Sequence, residues 1–493
     1  MHPAFIEIFF LSLIGVSGIA GALLFGIRHW IPVSIVSIAA AAVLRVWSSF
    51  LAWSLGRPDL VFELWIATVV AVIVGAIILR WREWRDATLA AVAFGGASVV
   101  ALATKYLLDI GERHHSDSAN VVGLAIIAIQ GEMQNLDPLA GGFKRGIAYP
   151  LMLALGPEGR ILSSFTPLVY LALLGAIAWF SWQVVGRFVG ARTFLLVTGV
   201  IGVFSLSVPI FRAAMFYLNG HTLMALSIAI LTGALLSARR EQSFSSQTAG
   251  LVTIGGALGA TARIEGIALV LVLVIAIVAQ PWWSQGIDRL RLFLSLSIVG
   301  MTLSWWMIAL DSGVLDRLQL SEWLLVAITL IGALVASSRQ IDPVRRWLVP
   351  ATGALLVALL ARVVWQSSDP LATVLAQWPN LGLGRGGWGT AAHVFIGSIV
   401  LLGWKKRSAE YRQLLLLSVL VIATILFTKT FDGGFGREGF YDSVNRMWLH
   451  VMPMIAVTTI VRYAELVKEF LSRRRSQDEQ TKPSKTVSAP ISN

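Results

Sequence analysis

The ionisable side chains most capable of chemistry are concentrated in one polar segment, residues 109–161, of an otherwise apolar chain. The segment opens with a dense group of carboxylates, imidazoles and a guanidinium: Asp109, Glu112, Arg113, His114, His115 and Asp117. A carboxylate can accept the proton of an attacking hydroxyl, so Asp117 is a candidate general base and Asp109 the next candidate. The simpler alternative is that these charges only solvate a loop.

A second signal is the pair Arg263 and Glu265, which lies between two uncharged runs, 242–262 and 266–287. One continuous helix would carry Arg263 near its centre, at a cost of about 2.5 to 3.5 kcal/mol in a bilayer. The pattern therefore predicts a helical hairpin that turns at Arg263. Its planar guanidinium is suited to a phosphate group. The alternative is that the two residues pair and simply cap the hairpin.

The composition indicates the elements that must position these residues. Hydrophobic residues make up 56% of the 493 and charged residues only 13%, with a mean hydropathy of +0.76. Soluble domains carry about 25% charged residues, so a soluble enzyme is excluded. The absence of cysteine excludes disulfides, thiolate metal sites and cysteine nucleophiles. We predict an all-α, polytopic transmembrane bundle of about 15 spans, each able to cross a ~30 Å hydrocarbon core.

The net charge of +12 is distributed between alternate loops. By the positive-inside rule the loops rich in arginine and lysine are cytoplasmic, which places the amino terminus outside and the carboxyl terminus inside. Asp117 and Asp432 are then extracytoplasmic, whereas Arg240 and Arg474 are cytoplasmic. We expect a multi-pass protein of the bacterial inner membrane.

The long outer loop has a recognisable order of motifs. It opens with Asp-Ser-Ala-Asn at 117–120, continues with an apolar stretch at 118–133 that predicts an interfacial helix, and ends with Lys-Arg-Gly-Ile-Ala-Tyr-Pro at 144–150. A later glycine-rich helix ends in Arg-Ile-Glu-Gly at 263–266. This order resembles the GT-C superfamily of polyprenyl-phosphate-sugar-dependent glycosyltransferases, of the protein mannosyltransferase or aminoarabinose transferase type. The subfamily is open, because Asn-Gly-His at 219–221 stands where the family often has an acidic residue.

The resemblance implies a division of the chain. Residues 1–87 form three extra transmembrane helices, and 88–311 form the catalytic module that includes the outer loop 109–161. Residues 312–467 form variable helices with two glycine-rich outer loops. Residues 468–493 are expected to be a disordered, basic cytoplasmic tail.

The resemblance also implies roles for particular side chains. An extracytoplasmic active site would take a sugar from a polyprenyl phosphate and attach it, with inversion, to a hydroxyl of a glycolipid, polysaccharide or protein. Asp117 is the expected base, and Arg263, Arg446, Lys144 and Arg145 would bind the donor phosphate. Further expected substrate contacts are Asp109, His114, His115, Tyr149, His221, Glu265 and Tyr441.

No firm cofactor follows from the sequence, and no nucleic-acid partner is expected. Adjacent histidines on an irregular segment rarely converge on one ion, so we expect no metal at His114 and His115. A pyrophosphate donor would favour a divalent cation, whereas arginines suffice for a monophosphate. Two other functions stay open: a transporter or flippase of lipid-linked glycan, which usually shows inverted repeats, and a glycan polymerase or ligase, which would carry its large loop late in the chain.

Overall fold

The computed structural model describes 3–107, 121–127, 146–154, 161–186, 189–216, 220–280, 286–312, 320–366, 377–381, 383–389, 391, 393, 397, 416–422, 424 and 443–481. These residues are overwhelmingly helical and contain no strand. The helices are α1 (Pro3–Leu24), α2 (Trp30–Ser54), α3 (Val61–Arg80), α4 (Trp84–Leu107), α5 (Ala148–Leu153), α6 (Phe165–Val185), α7 (Ala191–Ser207), α8 (Pro209–Phe216), α9 (His221–Glu241), α10 (Ser246–Ala262), α11 (Gly266–Val278), α12 (Gly286–Ser312), α13 (Leu320–Ser337), α14 (Arg345–Gln366), α15 (Gln377–Leu381) and α16 (Ser443–Thr481).

The predicted all-α bundle is confirmed for the described residues. Within the described part of the chain, eight helices are long and apolar enough to cross a membrane. Large apolar side chains such as Val92, Leu195 and Ile328 are well exposed on their outer faces, as lipid-facing positions should be. The total of about 15 spans stays a prediction.

Helix α9 is the centre of the bundle. Its residues from His221 to Ala238 are all buried, and it packs against α6, α10, α11 and α16. Small residues permit the close approach of α10: a methyl group on Gly255 or Gly259 would lie 2.9 Å from Ile230 or 2.3 Å from Ser227. Such small-residue contacts are typical of helix packing in membranes.

The predicted hairpin at Arg263 is also confirmed. Helix α10 ends at Ala262 and α11 begins at Gly266, so the three intervening residues form the turn. Gly266 is required at the start of α11, because an added methyl group would lie 2.0 Å from the carbonyl oxygen of Gly259. The turn keeps the two charges out of the middle of a span.

The end of the long loop enters the bundle. Every residue from Gly146 to Ala154 is buried, although the sequence indicated only an outer loop here. The Ile147 amide donates to the Thr261 carbonyl (2.8 Å), and Arg45 Nη2 on α2 donates to the Ala154 carbonyl (2.8 Å). Gly146 has a φ of 71°, a conformation that favours glycine. The segment is therefore anchored beside the α10–α11 turn.

The ends of the same loop are fixed by a buried carboxylate on α1. Glu7 pairs with Lys105 at the end of α4 and accepts a hydrogen bond from Ser164 Oγ (2.6 Å), just before α6. One side chain thus ties together the helices that precede and follow the loop.

Two loop and tail expectations can be compared with the described residues. The stretch 121–127 is helical, as expected, and its Val121 and Leu124 are buried in the main core.

Helix α16 continues to Thr481, which differs from the disorder expected from residue 468. Arginine, glutamate and glutamine are good helix formers, so the polar run can extend the last span as a helix.

Candidate functional site

Three chain segments bring polar side chains together at one end of the bundle. They are the first residue of α9, the α10–α11 turn and the first two turns of α16. Because α9 and α10 are consecutive antiparallel helices, the start of one and the end of the other lie at the same end. The residues concerned are His221, Arg263, Glu265, Arg446 and His450, and we call them the polar cluster.

The turn contributes an ion pair. Arg263 Nε donates to Glu265 Oε1 at 2.6 Å, and each residue is only 8% exposed. The extended backbone of Arg263 (φ −159°, ψ 155°) ends α10, three residues before α11 begins at Gly266. A buried ion pair tolerates the loss of one partner poorly, because the remaining charge is left desolvated. The pairing that the sequence left as the alternative is therefore present, although the Glu265 side chain makes no capping hydrogen bond to α11.

The two histidines form a buried stacked pair. Nδ1 of His221 lies 2.9 Å from Nε2 of His450, their ring centroids are 5.0 Å apart and the ring planes are inclined by 30°. His221 is 3% exposed and His450 is fully buried. At this distance one nitrogen donates and the other accepts, and the tautomers of the two rings decide which nitrogen carries the proton.

Arg446 lies one helical turn before His450 on α16. Residues four apart share a helix face, so Arg446 projects from the face of α16 that carries His450. Its side chain is half-buried. The cluster thus combines two guanidiniums, two imidazoles and one carboxylate in a largely dry environment.

A small apolar groove lies between α6, α8, α9 and α16. Its lining includes Thr222 and Leu449, the chain neighbours of His221 and His450, and is otherwise nearly all apolar. The groove therefore borders the two helices that carry the histidines.

The structure brings together three of the residues predicted from the sequence, Arg263, Glu265 and His221, and it places a fourth, Arg446, one helical turn from His450. It places Tyr149 in the core, where its hydroxyl pairs with Thr166. Seven predicted residues lie outside the described part of the chain: Asp109, His114, His115, Asp117, Lys144, Arg145 and Tyr441. Lys144 and Arg145 directly precede Gly146, and Gly146 packs against Ala262 at the end of α10.

The sequence reasoning missed His450. Its only local signal is a spacing of four residues from Arg446 at the start of an apolar helix. Its partner His221 is 229 residues away along the chain, and nothing in the spacing links the two. The pairing becomes visible only when α9 and α16 are packed together.

Comparisons with known proteins were made at three levels. No protein-family model, no curated protein and no solved structure matches the chain. The geometry of the polar cluster and its groove must therefore support any functional proposal on its own.

Proposed function

We propose that this chain is a membrane glycosyltransferase of the GT-C type, with about 15 spans, that moves a sugar from a polyprenyl phosphate to an acceptor hydroxyl. The observation that carries the proposal is the position of Arg263. It is a buried cation at the α10–α11 turn and pairs with Glu265, and the neighbouring helices α9 and α16 line an apolar groove that we propose receives the isoprenoid chain.

The chemistry of the cluster supports a phosphate leaving group. A departing polyprenyl phosphate needs no proton, only cations that stabilise its increasing negative charge. Arg263 and Arg446 are the described cations of the cluster, and Lys144 or Arg145 would add a third. Charge-assisted hydrogen bonds from guanidinium to phosphate are among the stronger polar contacts in proteins.

The proposed base is Asp117, with Asp109 as the next candidate. A carboxylate on the opposite side of the anomeric carbon from the phosphate would accept the acceptor's proton and give inversion. His114, His115 and Tyr441 are proposed acceptor or sugar contacts. The active site is proposed to face the extracytoplasmic side of the bacterial inner membrane, where nucleotide sugars are absent and a lipid-linked donor is needed.

The proposal is tested with purified protein reconstituted in vesicles that contain a radiolabelled polyprenyl-phosphate sugar and a membrane extract as the source of acceptor. We expect wild type to break the sugar–phosphate bond and release free polyprenyl phosphate. Arg263→Ala should lose this activity, whereas Arg192→Ala, which removes an exposed arginine of α7, should retain it.

The same experiment separates the main alternative. A transporter or flippase would move the lipid between leaflets with the sugar still attached. Translocation of intact donor without release of polyprenyl phosphate, at any acceptor concentration, would contradict the transferase proposal and support the transporter.

A further inference from the structure

Three members of the polar cluster have the chemistry of a metal-binding set. His221, Glu265 and His450 each offer one ligand atom, and these atoms all lie within 4.8 Å of one another. All three residues are buried, and they come from three separate segments of the chain. Placing three titratable groups together in the interior of a membrane bundle is costly unless they have a shared partner.

We propose that His221, Glu265 and His450 bind one transition-metal ion, and that Zn²⁺ is the ion best suited to them. Two imidazoles and one carboxylate are a known catalytic zinc set, with bonds of about 2.0 to 2.2 Å that leave a fourth position open. In a tetrahedral site with such bonds, two ligand atoms lie about 3.3 to 3.6 Å apart. Side-chain shifts of up to about 1.5 Å therefore complete the site.

The histidine pair is prepared for this role. Without an ion, the facing nitrogens of His221 and His450 share a hydrogen bond at 2.9 Å. Binding requires lone pairs on both ligating nitrogens, so each neutral ring must hold its proton on the nitrogen that faces away from the ion. This is a change of tautomer, and no proton is released. Nδ1 of His450 is buried without a hydrogen-bond partner in the described structure, which leaves it available as a ligand or as the protonated nitrogen.

Arg263 has the position of an outer partner of the metal site. It donates to Oε1 of Glu265, which holds the carboxylate in a fixed orientation. Such hydrogen bonds to ligating carboxylates are typical around metal sites. A divalent ion, Glu265 and Arg263 together leave a net positive charge, so an anionic oxygen is the natural fourth ligand. If the proposed function holds, that oxygen belongs to the donor phosphate; the metal site itself does not depend on it.

The test measures metal binding alone. Purified protein in detergent, with its affinity tag removed, is stripped with chelator and titrated with Zn²⁺ in competition with a chromophoric chelator. We expect one ion per chain. His450→Gln and His221→Gln should abolish this binding, whereas Arg263→Ala should weaken it by about 10- to 100-fold, the usual effect of losing an outer partner.

Matched controls test three histidines outside the proposed site. His393→Gln, at an exposed position, and the double change of His114 and His115 to glutamine should bind Zn²⁺ like wild type. Circular dichroism and gel filtration report whether each variant is folded. If His450→Gln fails to fold, Co²⁺ bound to wild type replaces it as the readout: intense visible absorption of a four-coordinate ion supports the site, and the pale spectrum of a six-coordinate ion contradicts it.

Equal Zn²⁺ affinity of wild type and folded His450→Gln would overturn the inference and leave a hydrogen-bonded histidine pair. This outcome is distinguishable from failure of the proposed function. Zinc binding without sugar transfer rejects the transferase alone, and transfer without zinc binding rejects the metal site alone.

Discussion

Replacing Arg263 by alanine should affect donor binding and stability through two different mechanisms. The change removes a cation proposed to contact the donor phosphate, worth about 1.5 to 3 kcal/mol, or roughly 10- to 150-fold in Kd. It also leaves Glu265, only 8% exposed, without its ion-pair partner. Removal of one partner of a buried pair costs about 3 to 5 kcal/mol of unfolding free energy.

A second substitution separates these effects. The double variant Arg263→Ala/Glu265→Gln has no unpaired buried carboxylate. It should therefore recover most of the unfolding free energy that Arg263→Ala loses. Donor binding should not return, because the amide carries no positive charge. Glu265→Gln alone is the matched control, since it differs from the double variant only at Arg263.

The assays are thermal unfolding in detergent and competitive binding of polyprenyl phosphate, both without added metal. We expect the double variant to unfold at a higher temperature than Arg263→Ala and to bind polyprenyl phosphate at least about 10-fold more weakly than Glu265→Gln. Equal affinity of these two variants would refute the phosphate-binding role and leave Arg263 as a structural partner of Glu265.

Three further predictions test the turn, the topology and the base. Gly146→Ala should destabilise the protein by at least about 1 to 2 kcal/mol, because φ is 71° and the new methyl group would lie 2.3 Å from Ala262. The control Gly202→Ala, whose methyl group would meet nothing within 4 Å, should unfold at or above the wild-type temperature. In intact cells an impermeant thiol reagent should label Asp432→Cys and not Arg474→Cys, since the chain has no native cysteine; labelling at 474 would reverse the topology. Asp117→Asn should abolish turnover while it retains polyprenyl phosphate binding; full turnover would transfer the base role to Asp109.

The positions of helices were predictable where the sequence must be apolar over the length needed to cross the hydrocarbon core. An apolar run of about 20 residues has few alternatives to a spanning helix. The break at 263–265 was predictable for the same reason, because a charged centre is disfavoured within a span. The break also placed Arg263 and Glu265 in one turn, and their ion pair follows from proximity in sequence.

Features that depend on helix packing could not be predicted. Six apolar residues, Ala148–Leu153, are too short to give a span signal, so their burial within the bundle was missed. Arg45 appeared only as an isolated charge within a span; its hydrogen bond to Ala154 depends on where the loop returns. The contact between His221 and His450 likewise requires α9 and α16 to be neighbours, which no local pattern encodes.

Release of polyprenyl phosphate by the reconstituted protein tests the central claim most directly. Wild type is supplied either with a radiolabelled polyprenyl-phosphate sugar or with the matching nucleotide sugar, and labelled acceptor and free lipid phosphate are measured. Because an outward-facing site cannot draw on cytoplasmic nucleotide sugar, transfer should occur from the lipid donor only and should disappear in Arg263→Ala. Transfer from the nucleotide sugar without a lipid carrier would contradict the proposed donor and the sidedness of the site.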